Sequence, residues 1–180
     1  MNRQELAGTL PRDAVVHKRS LNAFRKPGGD VAALAVVQIL CFLALTRLEP
    51  RFFIIHLYQL IPYAAILILI VYGQARWAYM IAPLVSAAWF VLAYTAGLLG
   101  SAVERLRSAP SFSSAADFVA MLAVVIAIVA VIMTALSRIH WVKECSGRAR
   151  GWRTFFVSLG IVLVYYGILL RWFWDMIPDV

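Results

Sequence analysis

The sequence predicts an all-α fold, a polytopic transmembrane bundle of five helices, on three observations. Hydrophobic residues make up 63% of the 180 residues, and the mean hydropathy is +0.81. In soluble domains only about half of the residues are apolar. The apolar residues gather in five long stretches that contain no Asp, Glu or Lys. Because charged side chains are costly in hydrocarbon, such stretches are typical of membrane-spanning helices.

The first predicted helix covers residues 31–48. Its uncharged part ends at Thr46 and would rise only about 24 Å, whereas the hydrocarbon layer is about 30 Å thick. We therefore extend the helix through Arg47, whose long side chain can reach the membrane interface. Without this helix the number of spans falls to four, which is the alternative to five. Residues 1–30 precede it as a basic segment, either an amphipathic helix on the membrane surface or a loose tail.

The second and third predicted helices cover residues 52–72 and 77–99, and each is long enough to span the membrane. The connections at 48–51 and 73–76 are very short, so the first three helices must be antiparallel neighbours. Residues 100–117 follow as a predicted polar loop that is rich in serine.

The fourth and fifth predicted helices cover residues 118–137 and 154–174, with a basic loop at 138–153 between them. The transmembrane domain thus extends over residues 31–176, and residues 177–180 form a short tail. No segment outside the helices is long enough to bury a core of its own, so we predict a single domain.

The distribution of basic residues predicts the orientation, because loops rich in Lys and Arg stay on the cytoplasmic side. With the N-terminus inside and the C-terminus outside, that side holds most of the 17 Lys and Arg residues. They are Arg3, Arg12, Lys18, Arg19, Arg25, Lys26, Arg76, Arg138, Lys143, Arg148, Arg150 and Arg153. The opposite side holds Arg47, Arg51, Arg105, Arg107 and Arg171.

Small residues recur along the fourth predicted helix at alternating spacings of four and three. They are Ala116, Ala120, Ala123, Ala127, Ala130, Thr134 and Ser137, and we call them the small-residue stripe. Such a period keeps the stripe on one side and lets a partner helix approach closely. Gly160 and Gly167 of the fifth helix are also seven apart and could complement it. A helix of another protein is the other candidate partner.

His56 is the single ionisable residue well inside a predicted span, and Gln59 and Tyr63 share its face of the helix. A neutral imidazole can bind the magnesium of a chlorophyll or bacteriochlorophyll, or hydrogen-bond a quinone carbonyl. A haem with two histidine ligands has no support, because His140 is predicted on the opposite side of the membrane. The favoured interpretation is a histidine that contacts a neighbouring helix or a lipid headgroup, so no cofactor is required.

Aromatic and basic residues at the predicted membrane interfaces are expected to anchor the protein in lipid. Arg171, Trp172 and Trp174 lie at the end of the fifth helix, and Trp141 and Trp152 flank the basic loop. The positive charge therefore indicates contact with lipid headgroups. It does not indicate nucleic-acid binding, since no basic cluster belongs to a soluble module.

The sequence favours a protein that is not an enzyme and has no metal site, because the motifs of intramembrane proteases and zinc enzymes are missing. We expect a non-catalytic accessory, scaffolding or assembly subunit of a larger complex in the bacterial inner membrane, of the respiratory or photosynthetic type. Its partners would be lipids and other integral membrane proteins. One alternative is a pigment- or quinone-binding protein at His56, and another is a small transporter or channel, for which Gln38, Ser86, Thr95 and Thr134 offer thin support.

Overall fold

The computed structural model describes residues 28–108, 114–145 and 150–173. These residues form six α-helices and contain no strand. Five of the helices are long and apolar enough to cross a membrane. The prediction of an all-α bundle with five candidate spans, rather than four, is therefore confirmed. The predicted basic segment 1–30 lies almost wholly outside the described residues, and the tail 177–180 lies entirely outside them.

The first three helices form consecutive antiparallel hairpins. They are α1 (Gly29–Leu48), α2 (Phe53–Val71) and α3 (Ala75–Thr95). A 3-10 turn at Pro50–Phe52 joins α1 to α2. Between α2 and α3 the chain turns at Gly73, whose φ of 76° is a conformation that glycine adopts without a Cβ clash. As the short connections predicted, α1 packs against α2 and α2 against α3.

The prediction of a loop at 100–117 is wrong over most of that range, because the chain forms a further helix there. The predicted third span ends early, at Thr95, and the backbone then turns at Gly97 with a φ of 67°. A new helix, α4, covers Leu98–Ser108. It buries Ala102 and packs along α5 and α3. Its apolar and charged residues fall on different faces, which is typical of a short helix lying on a larger core.

Helix α5 (Ala115–Cys145) begins before the predicted start at residue 118 because Ser114 and Asp117 cap it. The backbone N–H of Asp117 donates to Ser114 Oγ at 3.2 Å, and the N–H of Ser114 donates to Asp117 Oδ2 at 3.0 Å. This reciprocal arrangement is a capping box, which Ser-x-x-Asp before an apolar run predicts. Arg105 of α4 donates from Nε to Asp117 Oδ1 at 2.9 Å, which joins α4 to the start of α5.

The prediction of a basic loop at 138–153 is also wrong over most of that range. Helix α5 continues past Ser137 to Cys145, since residues 138–145 contain no Gly or Pro that would end it. Helix α6 (Arg150–Phe173) begins four residues before the predicted start. Residues 146–149 between the two helices lie outside the described residues.

Helices α1, α2, α3 and α5 form a four-helix ring, in which each packs against the next and α5 closes the ring on α1. Helix α6 lies outside this ring, against α3, with a smaller contact on α2. Tyr58 of α2 donates its hydroxyl to the carbonyl of Tyr165 at 3.1 Å, and Tyr165 donates back to the carbonyl of Tyr58. The core of the bundle is apolar and includes Phe42, Ile66 and Met133.

Candidate functional site in the bundle interior

The predicted cofactor residues lie on α2, and two of the three are buried. His56 is 9% exposed and Tyr63 is fully enclosed, whereas Gln59 is half-buried. The ring of Tyr63 stacks on Phe42 of α1, with the ring centroids 5.7 Å apart. The hydroxyl of Tyr63 has no hydrogen-bond partner among the described residues. Helix α2 therefore presents an imidazole and a phenol to the protein interior, two turns apart.

His56 lies beside a carboxylate that was not predicted to be its partner. Its Nε2 is 3.4 Å from Oε2 of Glu49, in the connection that precedes α2. The contact lacks hydrogen-bond geometry, and neither ring nitrogen of His56 has a hydrogen-bond partner in the described part of the chain. The ring of Phe52 packs edge-on against the imidazole, with the centroids 6.4 Å apart. The separation of seven residues across a turn was the signal that could have indicated this pair.

A second histidine–carboxylate pair lies at the opposite end of the bundle, where α1 and α3 begin and α5 ends. Nε2 of His140 is 3.0 Å from Oδ1 and 2.8 Å from Oδ2 of Asp30. The ring of Tyr79 stacks on the imidazole, with centroids 5.2 Å apart and the planes 14° from parallel. Tyr79 is buried. The pair thus joins three helices at one end of the ring.

Gly28, which precedes α1, makes room for this arrangement. Its φ is 92°, in the left-handed region, and a Cβ built on it would lie 2.6 Å from the hydroxyl oxygen of Tyr79. A larger residue would therefore meet both backbone strain and a steric clash. The first turn is held further by Asp30, whose Oδ1 accepts the backbone N–H of Val31 at 2.8 Å.

The Asp30–His140 pair was not predicted, because both residues fall outside the predicted spans. Asp30 fell in the N-terminal segment and His140 in the predicted basic loop, and the two are 110 residues apart in the chain. The longer helices α1 and α5 bring them together. No local pattern in the sequence indicated this contact.

Between the two pairs, each helix of the ring contributes one deeply buried polar side chain. These are Gln38 of α1, Tyr63 of α2, Ser86 of α3 and Ser137 of α5, which we call the polar interior. Gln38 donates from Nε2 to the carbonyl of Ile126 at 2.9 Å, but its Oε1 has no hydrogen-bond partner in the described part of the chain. The three hydroxyls also lack hydrogen-bond partners among the described residues. Such buried, unpartnered polar atoms are uncommon in folded proteins and require an explanation.

The small-residue stripe mostly faces the rest of this chain. Ala120, Ala130 and Ser137 are buried, Ala123, Ala127 and Thr134 are half-buried, and Ala116 is exposed. Thr134 donates its hydroxyl to the carbonyl of Ala130 at 2.8 Å, within its own helix. Because α5 packs against α1, α3 and α4, little of the stripe is left for a helix of another protein.

The expectation that Gly160 and Gly167 complement the stripe is wrong within this chain. Both glycines are exposed, and a Cβ built on either would have no atom within 4 Å. Helix α6 packs on α3 through Ser158, Val162 and Tyr166, so its glycines point away from the bundle. Helices α5 and α6 share no extensive contact.

The predicted lipid anchors are divided between exposed and packed positions. Arg171, Trp172 and Trp152 are exposed, and Trp152 stacks on Phe156 with the centroids 5.9 Å apart. Trp141 is half-buried and packs against the core. Trp174 lies outside the described residues.

One open groove, of about 830 Å³, lies where α1 ends and α2 begins. Its walls are apolar side chains together with Thr46 and Arg47, and they do not include His56, Gln59 or Tyr63. The groove is therefore not a pigment or quinone pocket at the predicted residues. Within the described residues, no three potential metal ligands lie close together.

Five apolar helices arranged around a shared core define a multi-pass helical membrane protein. No family model, no curated protein and no solved structure matches the chain. Its function must therefore be inferred from its own residues.

Proposed function

We propose that the protein is a non-catalytic subunit of a larger complex in the bacterial inner membrane, and that it binds other membrane proteins through α6. The observation that carries this proposal is the outward face of that helix, which no other described helix covers. Gly160 and Gly167 are exposed and have open space where a side chain would be. Without side chains at these positions, another helix can approach the backbone closely, which is how many transmembrane helices associate.

The position of α6 in the bundle supports this assignment. Only 22% of its most apolar stretch is buried, compared with 39% for α1. Leu163 and Val164 lie between the two glycines and are 63% and 64% exposed. Large apolar side chains beside small ones form a surface into which a partner helix can pack. By contrast, the small-residue stripe of α5 is largely occupied within the chain.

Lipid contact and orientation belong to the same proposal. The apolar faces of the five candidate spans suit the hydrocarbon layer. The exposed Trp152, Arg171 and Trp172 suit the interfaces. Following the distribution of Lys and Arg, the N-terminus would lie on the cytoplasmic side and the C-terminus outside.

Substitution of both glycines tests the proposal. In Gly160→Leu/Gly167→Leu, the new side chains should block the partner helix, so the protein should leave its complex on a native gel of gently solubilised membranes. As a matched control, Ala135→Leu adds the same side chain to an exposed position of α5 and should leave the complex intact. The proposal fails if the double variant migrates with wild-type size, or if the wild-type chain migrates alone.

The pigment or quinone alternative at His56 stays a prediction. Its support is the buried imidazole, whose two nitrogens lack hydrogen-bond partners among the described residues. An absorption spectrum and solvent extraction of the purified protein would test it. A colourless preparation without extractable quinone, unchanged in His56→Ala, would exclude this function.

A further inference from the structure

We infer that the polar interior forms a path for protons through the bundle, from one histidine–carboxylate pair to the other. The path begins at Asp30 and His140, where α1 and α5 meet, and it ends at His56 and Glu49 at the opposite end. This activity would belong to the single chain, so it does not depend on the proposed complex.

The polar atoms of the ring are distributed over all four helices. Each helix contributes one deeply buried polar side chain that has an atom without a hydrogen-bond partner among the described residues. Thr46 of α1, which is also buried, differs because it donates to the carbonyl of Leu43. Leaving a polar atom buried without a partner destabilises the folded state, so a core selected only for packing would not retain it. Polar and ionisable residues inside membrane helices commonly mark routes for ions and protons.

The polar residues also lie at successive depths along the axis of the bundle. Gln38 lies eight residues after Asp30 on α1, or about 12 Å into the bundle. Phe42, on which Tyr63 stacks, lies one turn beyond Gln38 on α1, about 6 Å further into the bundle. His56 lies seven residues from Tyr63 on α2, a step of about 10 Å towards the other end.

The remaining hydroxyls fall on the same route. Ser137 lies three residues from His140 on α5, about one turn further into the bundle. Ser86 lies seven residues after Tyr79 on α3, about 10 Å from the same end and close to the depth of Gln38. The carbonyl that Gln38 binds, that of Ile126, lies eleven residues from Ser137 along α5, and His56 lies seven residues from Tyr63. Each of these steps exceeds what one water molecule can bridge, so a proton would need a row of water molecules there.

The chemistry needs only proton transfer. A hydroxyl such as that of Tyr63 or Ser86 can accept one hydrogen bond while it donates another, and the carboxamide oxygen of Gln38 can orient a water molecule. A histidine accepts a proton at one ring nitrogen and releases one from the other. For each proton taken up at one pair, one leaves from the other, and no bond to carbon is made or broken. The driving force is the electrochemical gradient of protons across the membrane.

Reconstitution of the full chain into liposomes tests this inference. The vesicles contain a pH-sensitive dye, and a potassium diffusion potential set by valinomycin drives protons inward. Proteoliposomes should acidify faster than empty liposomes. Tyr63→Phe removes only a hydroxyl and should slow acidification by about tenfold, the effect of losing one hydrogen bond at the limiting step. Ser86→Ala should act in the same direction.

A matched control shows whether the effect depends on the position of the hydroxyl in the route or only on the loss of a buried hydroxyl. Ser158→Ala also removes a buried, unpartnered hydroxyl, but from α6, outside the four-helix ring. It should leave the proton rate unchanged. The inference is overturned if wild-type vesicles acidify no faster than empty ones, if Tyr63→Phe and Ser86→Ala match the wild type, or if Ser158→Ala slows transport as much. Release of a trapped fluorescent dye would also overturn it, because the vesicles would then leak unselectively.

Discussion

The two histidine–carboxylate pairs use the same chemical groups at opposite ends of the bundle, yet they differ in what holds them. Asp30 and His140 are 110 residues apart, and both carboxylate oxygens lie within hydrogen-bond distance of Nε2. Glu49 and His56 are close in sequence, and their contact of 3.4 Å lacks hydrogen-bond geometry. The first pair is a tertiary connection between helices, whereas the second is a local contact at a turn.

This difference has consequences for both stability and function. The Asp30–His140 pair is packed on a buried aromatic ring, so its removal should loosen α1 from α5. The Glu49–His56 pair leaves the ring nitrogens of a buried imidazole without hydrogen bonds to any described residue, so we expect it to contribute less to stability. We therefore expect the two ends to respond very differently to similar substitutions.

The largest loss of stability should come from Gly28→Val, which should disrupt the packing around the Asp30–His140 pair. The new side chain would require an unfavourable φ and would displace the hydroxyl of Tyr79, at a combined cost of about 3 kcal/mol. Cys41 is buried in α1, so its reaction with a maleimide dye during heating, in a Cys145→Ser background, reports the loosening of that helix. The temperature at which half of Cys41 has reacted should fall markedly.

Gly73→Val is the matched control for this substitution. Gly73 also has a positive φ, but nothing lies within 4 Å of the position its Cβ would take. The free energy of unfolding should therefore fall only by the cost of the unfavourable φ, roughly 1 to 2 kcal/mol. Equal losses in the two variants would show that contact with Tyr79 does not matter.

An intermediate effect is expected from a double-mutant cycle on the Asp30–His140 pair. Asp30→Asn and His140→Ala should be coupled by about 1 kcal/mol, a value between that of an exposed ion pair and that of a buried charged hydrogen bond. Thermal exposure of Cys41 provides the measurement again. Strictly additive effects would mean that the two side chains do not stabilise each other.

The smallest effect is expected from the corresponding cycle on Glu49 and His56. Because the two groups do not form a hydrogen bond, Glu49→Gln and His56→Ala should be coupled by less than about 0.5 kcal/mol. Glu49→Gln should nevertheless slow proton uptake into liposomes if this pair ends the proposed path. A coupling as strong as that of the other pair would remove the contrast between the two ends.

The candidate site was only partly predictable. His56 and Tyr63 stood out because polar residues are rare in a span, and their shared face follows from helical periodicity. Ser137 was noticed only as a small residue, and Gln38 and Ser86 only as scattered polar positions. Their arrangement, one from each helix of a ring, depends on which helices are neighbours. Periodicity within one helix carries no information on that.

Helix boundaries show the same limit on a smaller scale. The capping box at Ser114 and Asp117 was present in the sequence and marks the start of α5. The break at Gly97 divides a continuous apolar run, and hydropathy alone does not detect it.

The sequence by itself determined that this chain is a membrane protein with five apolar helices, because burial in hydrocarbon demands long uncharged segments whatever their packing. It also determined that the first three helices are consecutive neighbours, since four residues cannot reach further. Only the tertiary structure decided that α5 closes the ring, that the glycines of α6 point outward, and that Asp30 meets His140. These features depend on contacts between helices far apart in sequence, and side-chain packing selects those contacts among many arrangements of similar hydrophobicity.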